Sequence, residues 1–267
     1  MGDFEWWDGV RDSVGIAATS SVVSVSLAQP LDVAVRVAKK GDGNVPAALW
    51  TVFKERGVAG LFHGNHVQLL RKVPAKAIRV MTYEWSNKLL KQVRNMDSRY
   101  GIPKLPSIVD TVIVSAFAGA FSIAVTYPLH IIHACYVKNI SFQTFLARNG
   151  FFRGVRPLAL SQIPAVTVEL IGYNIMRDMF PDSEKNFASL LTMSIIAKMT
   201  GESFAHPLKL VSKKIAFSGG SGMRSTVATI VQKHGPMGLF KGVQYRYMKA
   251  FISVVAAKLA AAKLSPD

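Results

Sequence analysis

Apolar stretches recur six times along the chain, at 10–29, 66–90, 108–127, 156–180, 187–206 and 243–264. Each is long enough to cross a bilayer as a helix. None is purely apolar: the first carries Thr19, Ser20, Ser21, Ser24 and Ser26, and the fifth carries Lys198 and Glu202. Polar groups at membrane depth must face one another or water. The pattern predicts six helices packed around a wet, polar interior. Prolines 30, 128 and 207, at the ends of the first, third and fifth stretches, predict a kink or stop, because proline removes a helix N–H and crowds the preceding turn.

The stretches also repeat. AQPLDV (28–33), TYPLHI (126–131) and AHPLKL (205–210) close the odd stretches, and GLFHG (60–64), GFFRG (150–154) and GLFKG (238–242) open the even ones. The closing glycines, Gly64, Gly154 and Gly242, are 90 and 88 residues apart. Pro74 and Pro164 each follow their glycine by ten residues, and Tyr83 and Tyr173 by nineteen. So many matched offsets mark internal repetition.

Charge narrows the partners. Half of the residues are hydrophobic and 18% are charged, with 32 Lys and Arg against 16 Asp and Glu, a net +16. Such a balance fits nucleic acid, an anionic membrane surface or anionic solutes. The basic residues punctuate apolar segments and form no sustained stripe, which argues against nucleic acid. The single Cys135 excludes an internal disulfide. The start, MGDFEWWDGVRD, has neither the basic and apolar regions of a signal peptide nor the arginines of a transit peptide. Trp6 and Trp7 suit a membrane–water interface.

Taken with the Pro-x-acid-x-x-base positions and the glycine-aromatic motifs, the chain resembles the mitochondrial carrier family, most closely at GLFHGNHVQLLRKVPAKAIRVMTYE (60–84). The resemblance implies an all-α membrane protein of six transmembrane helices in three pseudo-threefold repeats with short matrix helices. It would be one carrier-like domain over 1–267, with repeats 1–95, 96–182 and 183–267. It also implies a multi-pass place in the mitochondrial inner membrane, termini toward the intermembrane space, and cardiolipin bound where Gly64, Gly154 and Gly242 begin helices, with no other cofactor.

The family's charged latches are much altered. On the matrix side the acid and base positions are Asp32 and Val35, His130 and His133, and Lys209 and Ser212. Only Asp32 keeps its charge type; Arg36 and Lys213 each stand one residue late, about 100° around the helix. A rearranged Asp32–Lys209 pair is the one bridge these positions allow. On the cytoplasmic side the versions are Glu84 with Asn87, Asn174 with Arg177, and Ala261-Ala262 with Ser265, which permits a single Glu84–Arg177 pair. Helix-packing pairs four apart read Ala17/Ser21, Ser115/Gly119 and Ser194/Lys198. Lys198 and Glu202 are themselves four apart and are expected to neutralise one another. From signature proline to closing glycine is 34, 26 and 35 residues, so the second matrix segment is about two helical turns short.

Solute contacts in the family fall seven residues after each closing glycine. Those positions are Arg71, Ser161 with adjacent Gln162, and Lys249, with Arg79 adding to the field; they suit an anion such as a carboxylate or a nucleotide phosphate. His63 and His66, like His130 and His133, have a spacing that lets two imidazoles share a metal, but no third ligand supports either pair. GDGN (41–44) and GGSG (219–222) read as turns, and no nucleophile–base arrangement points to an enzyme. The altered latches favour a non-transporting accessory or structural subunit of an inner-membrane assembly such as a respiratory-chain complex. The alternative is a divergent carrier exchanging an anionic metabolite by alternating access.

Overall fold

The computed structural model describes residues 2–38, 44–97, 107–149, 152, 154–180, 186–217 and 222–264. Gly41–Gly43 of the first turn motif, Gly219–Ser221 of the second, Gly150, Phe151 and Arg153 of the second glycine motif, and Ser265 lie outside those residues. All regular structure among the described residues is helical. In chain order it comprises α1 (Gly2–Ala38), α2 (Val45–Leu61), α3 (Asn65–Asp97), α4 (Ser107–Lys138), α5 (Phe142–Asn149), α6 (Val155–Leu160), α7 (Gln162–Met179), α8 (Phe187–Phe217), α9 (Met223–His234), a 3₁₀ turn (Pro236–Phe240) and α10 (Val243–Leu264).

The long helices close a ring. Helix α1 packs on α3 and α10, α3 on α4, α4 on α6 and α7, α7 on α8, and α8 on α10. This is the all-α carrier architecture. Among the described residues, three segments are long and apolar enough to cross a membrane on composition alone: Trp6–Ala38, Ile108–Lys138 and Val155–Met179. Helix α3 departs from that apolar average because it carries Arg71, Lys72, Lys76 and Arg79.

Helix α4 shows the two-faced logic of such a ring. Ile113, Phe117, Phe121 and Val125, four apart, are 46–56% exposed and face outward. Val114, Ala118, Ser122 and Thr126, one residue on, are buried. Small and hydroxylated side chains let the neighbouring helices close in, and Ser122 donates to the Ala75 carbonyl of α3. The α8–α7 contact corrects an expected register. Lys198 is not a packing residue; Ala197, Gly201 and Ala205 form the small stripe, all buried. A Cβ on Gly201 would lie 2.5 Å from the Ala165 carbonyl oxygen, so only glycine permits that approach.

The signature prolines do not stop their helices. Pro30, Pro128 and Pro207 lie inside α1, α4 and α8, which continue to Ala38, Lys138 and Phe217. The closing glycines behave alike: Gly64, Gly154 and Gly242 have φ of 81°, 85° and 86°, a left-handed turn that sets each chain into its even helix. The connecting helices are unequal: α2 spans 17 residues but is broken at Gly57 (φ 61°), whereas α5 has 8 and α9 has 12. Helix α5 is held by Phe145, which packs with Tyr127, Ile131, Cys135 and Ala216 in a core between α4 and α8.

Candidate functional site

A cavity of about 660 Å³ opens inside the ring. Its wall includes nine Lys and Arg residues against two carboxylates, Asp32 and Glu202. Low-dielectric walls of one predominant charge focus an attractive field on anions.

Asp32, on α1 just beyond Pro30, faces the cavity and is bound by Lys249 from α10 through both carboxylate oxygens. Gln68 of α3 donates to the same carboxylate at 2.9 Å and to Gln29 Oε1 at 2.5 Å. Gln29, fully buried, donates in turn to the His63 carbonyl at 2.9 Å. Two glutamines thus fix the carboxylate that holds Lys249. One helix on, Arg71 Nη1 of α3 lies 3.1 and 3.3 Å from the ring nitrogens of His130 on α4. The Arg71 Nε and His133 Nε2 atoms are buried in the cavity wall without a protein partner among the described residues.

These two links share one rule. In each, a position two residues after a signature proline (Asp32, His130) meets the position seven after the closing glycine on the preceding even helix (Lys249, Arg71). The third equivalent fails. Ser161 is fully buried at the α6–α7 joint and donates to the Leu158 carbonyl at 2.6 Å, so it is not a cavity contact; adjacent Gln162 lines the wall instead. Lys209 turns to Glu202 on its own helix at 2.7 Å, and Glu202 also receives Arg246 of α10 at 3.1 Å.

Two expected pairings are therefore corrected. Asp32 pairs with Lys249, and Lys209 with Glu202. Lys198 and Glu202 do not neutralise one another: Lys198 binds Glu169 of α7 at 2.7 Å. Lys209 reaches Glu202 two turns along α8 itself, but spacing along one helix could not reveal the other partners, Glu169 of α7 and Lys249 and Arg246 of α10. Glu169 and Arg246 were absent from the expected site for the same reason.

The remaining positions fall as follows. Val35 and Arg36 line the cavity, and Arg36 Nε donates to the Asp32 carbonyl at 3.0 Å. Ser212 is buried and donates to the Gly154 carbonyl at 2.6 Å, tying α8 to the left-handed turn before α6. Glu84 and Asn87 are half-buried on α3. Asn174 donates to the Leu170 carbonyl at 2.8 Å, and Arg177 Nε comes within 4.0 Å of Asp178. His63 and His66 bracket the Tyr136 ring, at centroid distances of 5.7 and 5.8 Å. Lys88 sits 4.3 Å over the Trp6 ring, joining the start of α1 to α3.

The sequence comparisons give the family. The family model for mitochondrial carrier proteins matches residues 7–94 and 183–263, and the chain belongs to that family. It is 23% identical over 233 residues to a probable mitochondrial adenine nucleotide transporter of Arabidopsis thaliana, covering 76% of this chain and 67% of that protein. It is 27% identical over 227 residues to mitochondrial thiamine pyrophosphate carrier 1 of Neurospora crassa, covering 74% and 67%. It is 25% identical over 280 residues to a mitochondrial adenyl nucleotide antiporter of Mus musculus, covering 94% and 56%. The chain thus spans about half to two-thirds of the length of these relatives, which are transporters by name.

Proposed function

We propose that this chain is a solute carrier of the mitochondrial inner membrane that moves a multiply charged, phosphate-bearing anion by alternating access. The observation that carries the reading is the cavity wall, with nine Lys and Arg residues against two carboxylates. Relatives named for adenine nucleotides and thiamine pyrophosphate support an anion of that class.

The expectation of a non-transporting subunit rested on lost latch charges, and the relatives named above are transporters instead. The polar links are remade with other partners instead. Asp32 occupies Lys249, a position the family uses for solute, so an entering anion competes with Asp32 for the same ammonium. Displacing that carboxylate releases α1 from α10, and the solute's own binding energy drives the change. The His130–Arg71 link is weaker because a neutral imidazole offers no opposite charge, so Arg71 is the readier of the two to accept solute.

The test is uptake by liposomes carrying the purified protein, with ADP and thiamine pyrophosphate as probes. Saturable uptake that falls about tenfold or more in Arg71→Gln and in Lys249→Gln is expected, since each loses a charge-assisted hydrogen bond. Folded protein that takes up neither probe, and co-purifies in fixed ratio with a larger complex, overturns the proposal in favour of the subunit reading.

A further inference from the structure

The cationic wall continues past the cavity's Asp32–Lys249 level. Lys72, Lys76 and Arg79 are spaced four and three apart on α3, which places them on one face of the helix. Lys72 lines the cavity. None of the three has a carboxylate within 4.0 Å among the described residues. From Lys72 to Arg79 the helix rises about 10 Å.

At the upper end, Lys76 and Arg79 lie within electrostatic reach of Glu169, and Lys76 within reach of Lys198. Glu169 and Lys198 are bonded to each other at 2.7 Å, each one-third exposed. One carboxylate there, from α7, serves three cations, two from α3 and one from α8. A structural ion pair needs only Lys198, which leaves Lys76 and Arg79 in excess. Unpaired cations at membrane depth are costly unless they meet water or an anion, and Lys198, one-third exposed, lines the cavity, which gives this level access to both.

We propose that Lys76, Arg79 and Lys198 form a second anion subsite, about 10 Å along α3 from the Arg71–Lys249 level. The two levels together select elongated polyanions over compact ones. This rests on the anion-carrier reading and adds the shape of the solute. The upper subsite holds one anionic group while the lower one competes for Lys249, so a compact anion occupies one level and an extended one bridges both. Glu169 keeps Lys198 in place and repels a group that comes too deep, which makes the upper level a holding point.

The test is binding of orthophosphate, pyrophosphate, tripolyphosphate and tetrapolyphosphate to the full chain in detergent, read by thermal shift against concentration. Wild type is expected to bind tighter with each added phosphate, about tenfold or more overall. The Lys76→Gln/Arg79→Gln variant is expected to lose at least about tenfold for tetrapolyphosphate and less than twofold for orthophosphate. The swap Lys76→Arg/Arg79→Lys keeps the length dependence, which separates charge from folding. Neutralising exposed Lys54 and Arg56 on α2 leaves the series unchanged, which separates the subsite from general attraction. Binding that is independent of chain length, or an equal loss for short and long probes in Lys76→Gln/Arg79→Gln, overturns the second subsite but spares the carrier reading. Folded wild type that binds neither the polyphosphates nor ADP overturns both.

Discussion

Replacing Asp32 by Asn asks whether one carboxylate holds α1 to α10. The change keeps the side-chain volume and removes the charge that Lys249 meets through both oxygens. Two unit charges 4 Å apart at an effective dielectric of 20 attract by about 4 kcal/mol. Desolvation takes back part of that. The Lys249 and Asp32 side chains are 32% and 18% exposed, so solvent screening lowers it further. A net coupling of about 1–3 kcal/mol remains. For a chain of this size that corresponds to a fall in melting temperature of about 3–10 °C. The assay is thermal unfolding in mild detergent of Asp32→Asn, Lys249→Gln and the double variant. The single variants should each lose stability, and the double variant less than their sum, because it strands no charge. Anion affinity of Asp32→Asn should rise, since its competitor for Lys249 is gone. Additive losses, or an affinity that falls, would refute the competing-carboxylate argument.

Other expectations follow from the same geometry. Gly154→Ala places a Cβ 2.7 Å from the Ser212 carbonyl oxygen at φ 85° and should cost about 2–4 kcal/mol. Gly57→Ala, at φ 61° with open space around it, should cost only about 1–2 kcal/mol, so equal melting temperatures for the two would refute the packing argument. Ser212→Ala leaves the Gly154 carbonyl without its side-chain donor and should lower stability by about 1–2 kcal/mol in the same assay. His130→Asp gives Arg71 a carboxylate and should weaken ADP binding about tenfold by competition; unchanged affinity would show that Arg71 does not contact solute.

The sequence by itself determined the ring. Matched offsets around Gly64, Gly154 and Gly242 were readable because glycine takes the left-handed turn that each of them makes at no steric cost, and the apolar spacing carried the helices. The eight-residue α5 followed from the short interval between Pro128 and Gly154. Cation-rich candidates such as Arg71 and Lys249 were visible because their register is counted from those glycines. Pairing was not visible. Lys198 and Glu202 looked like partners at helical spacing, yet Glu169 on α7 captured the lysine, and Lys209 together with Arg246 on α10 captured the carboxylate. Asp32 met Lys249 from the far end of the chain, and Ser161 turned into its own helix joint. A helix repeats its residues with a fixed local period, which a sequence displays directly. An ion pair is decided by which side chains several helices bring to one point, and only the closed ring sets that.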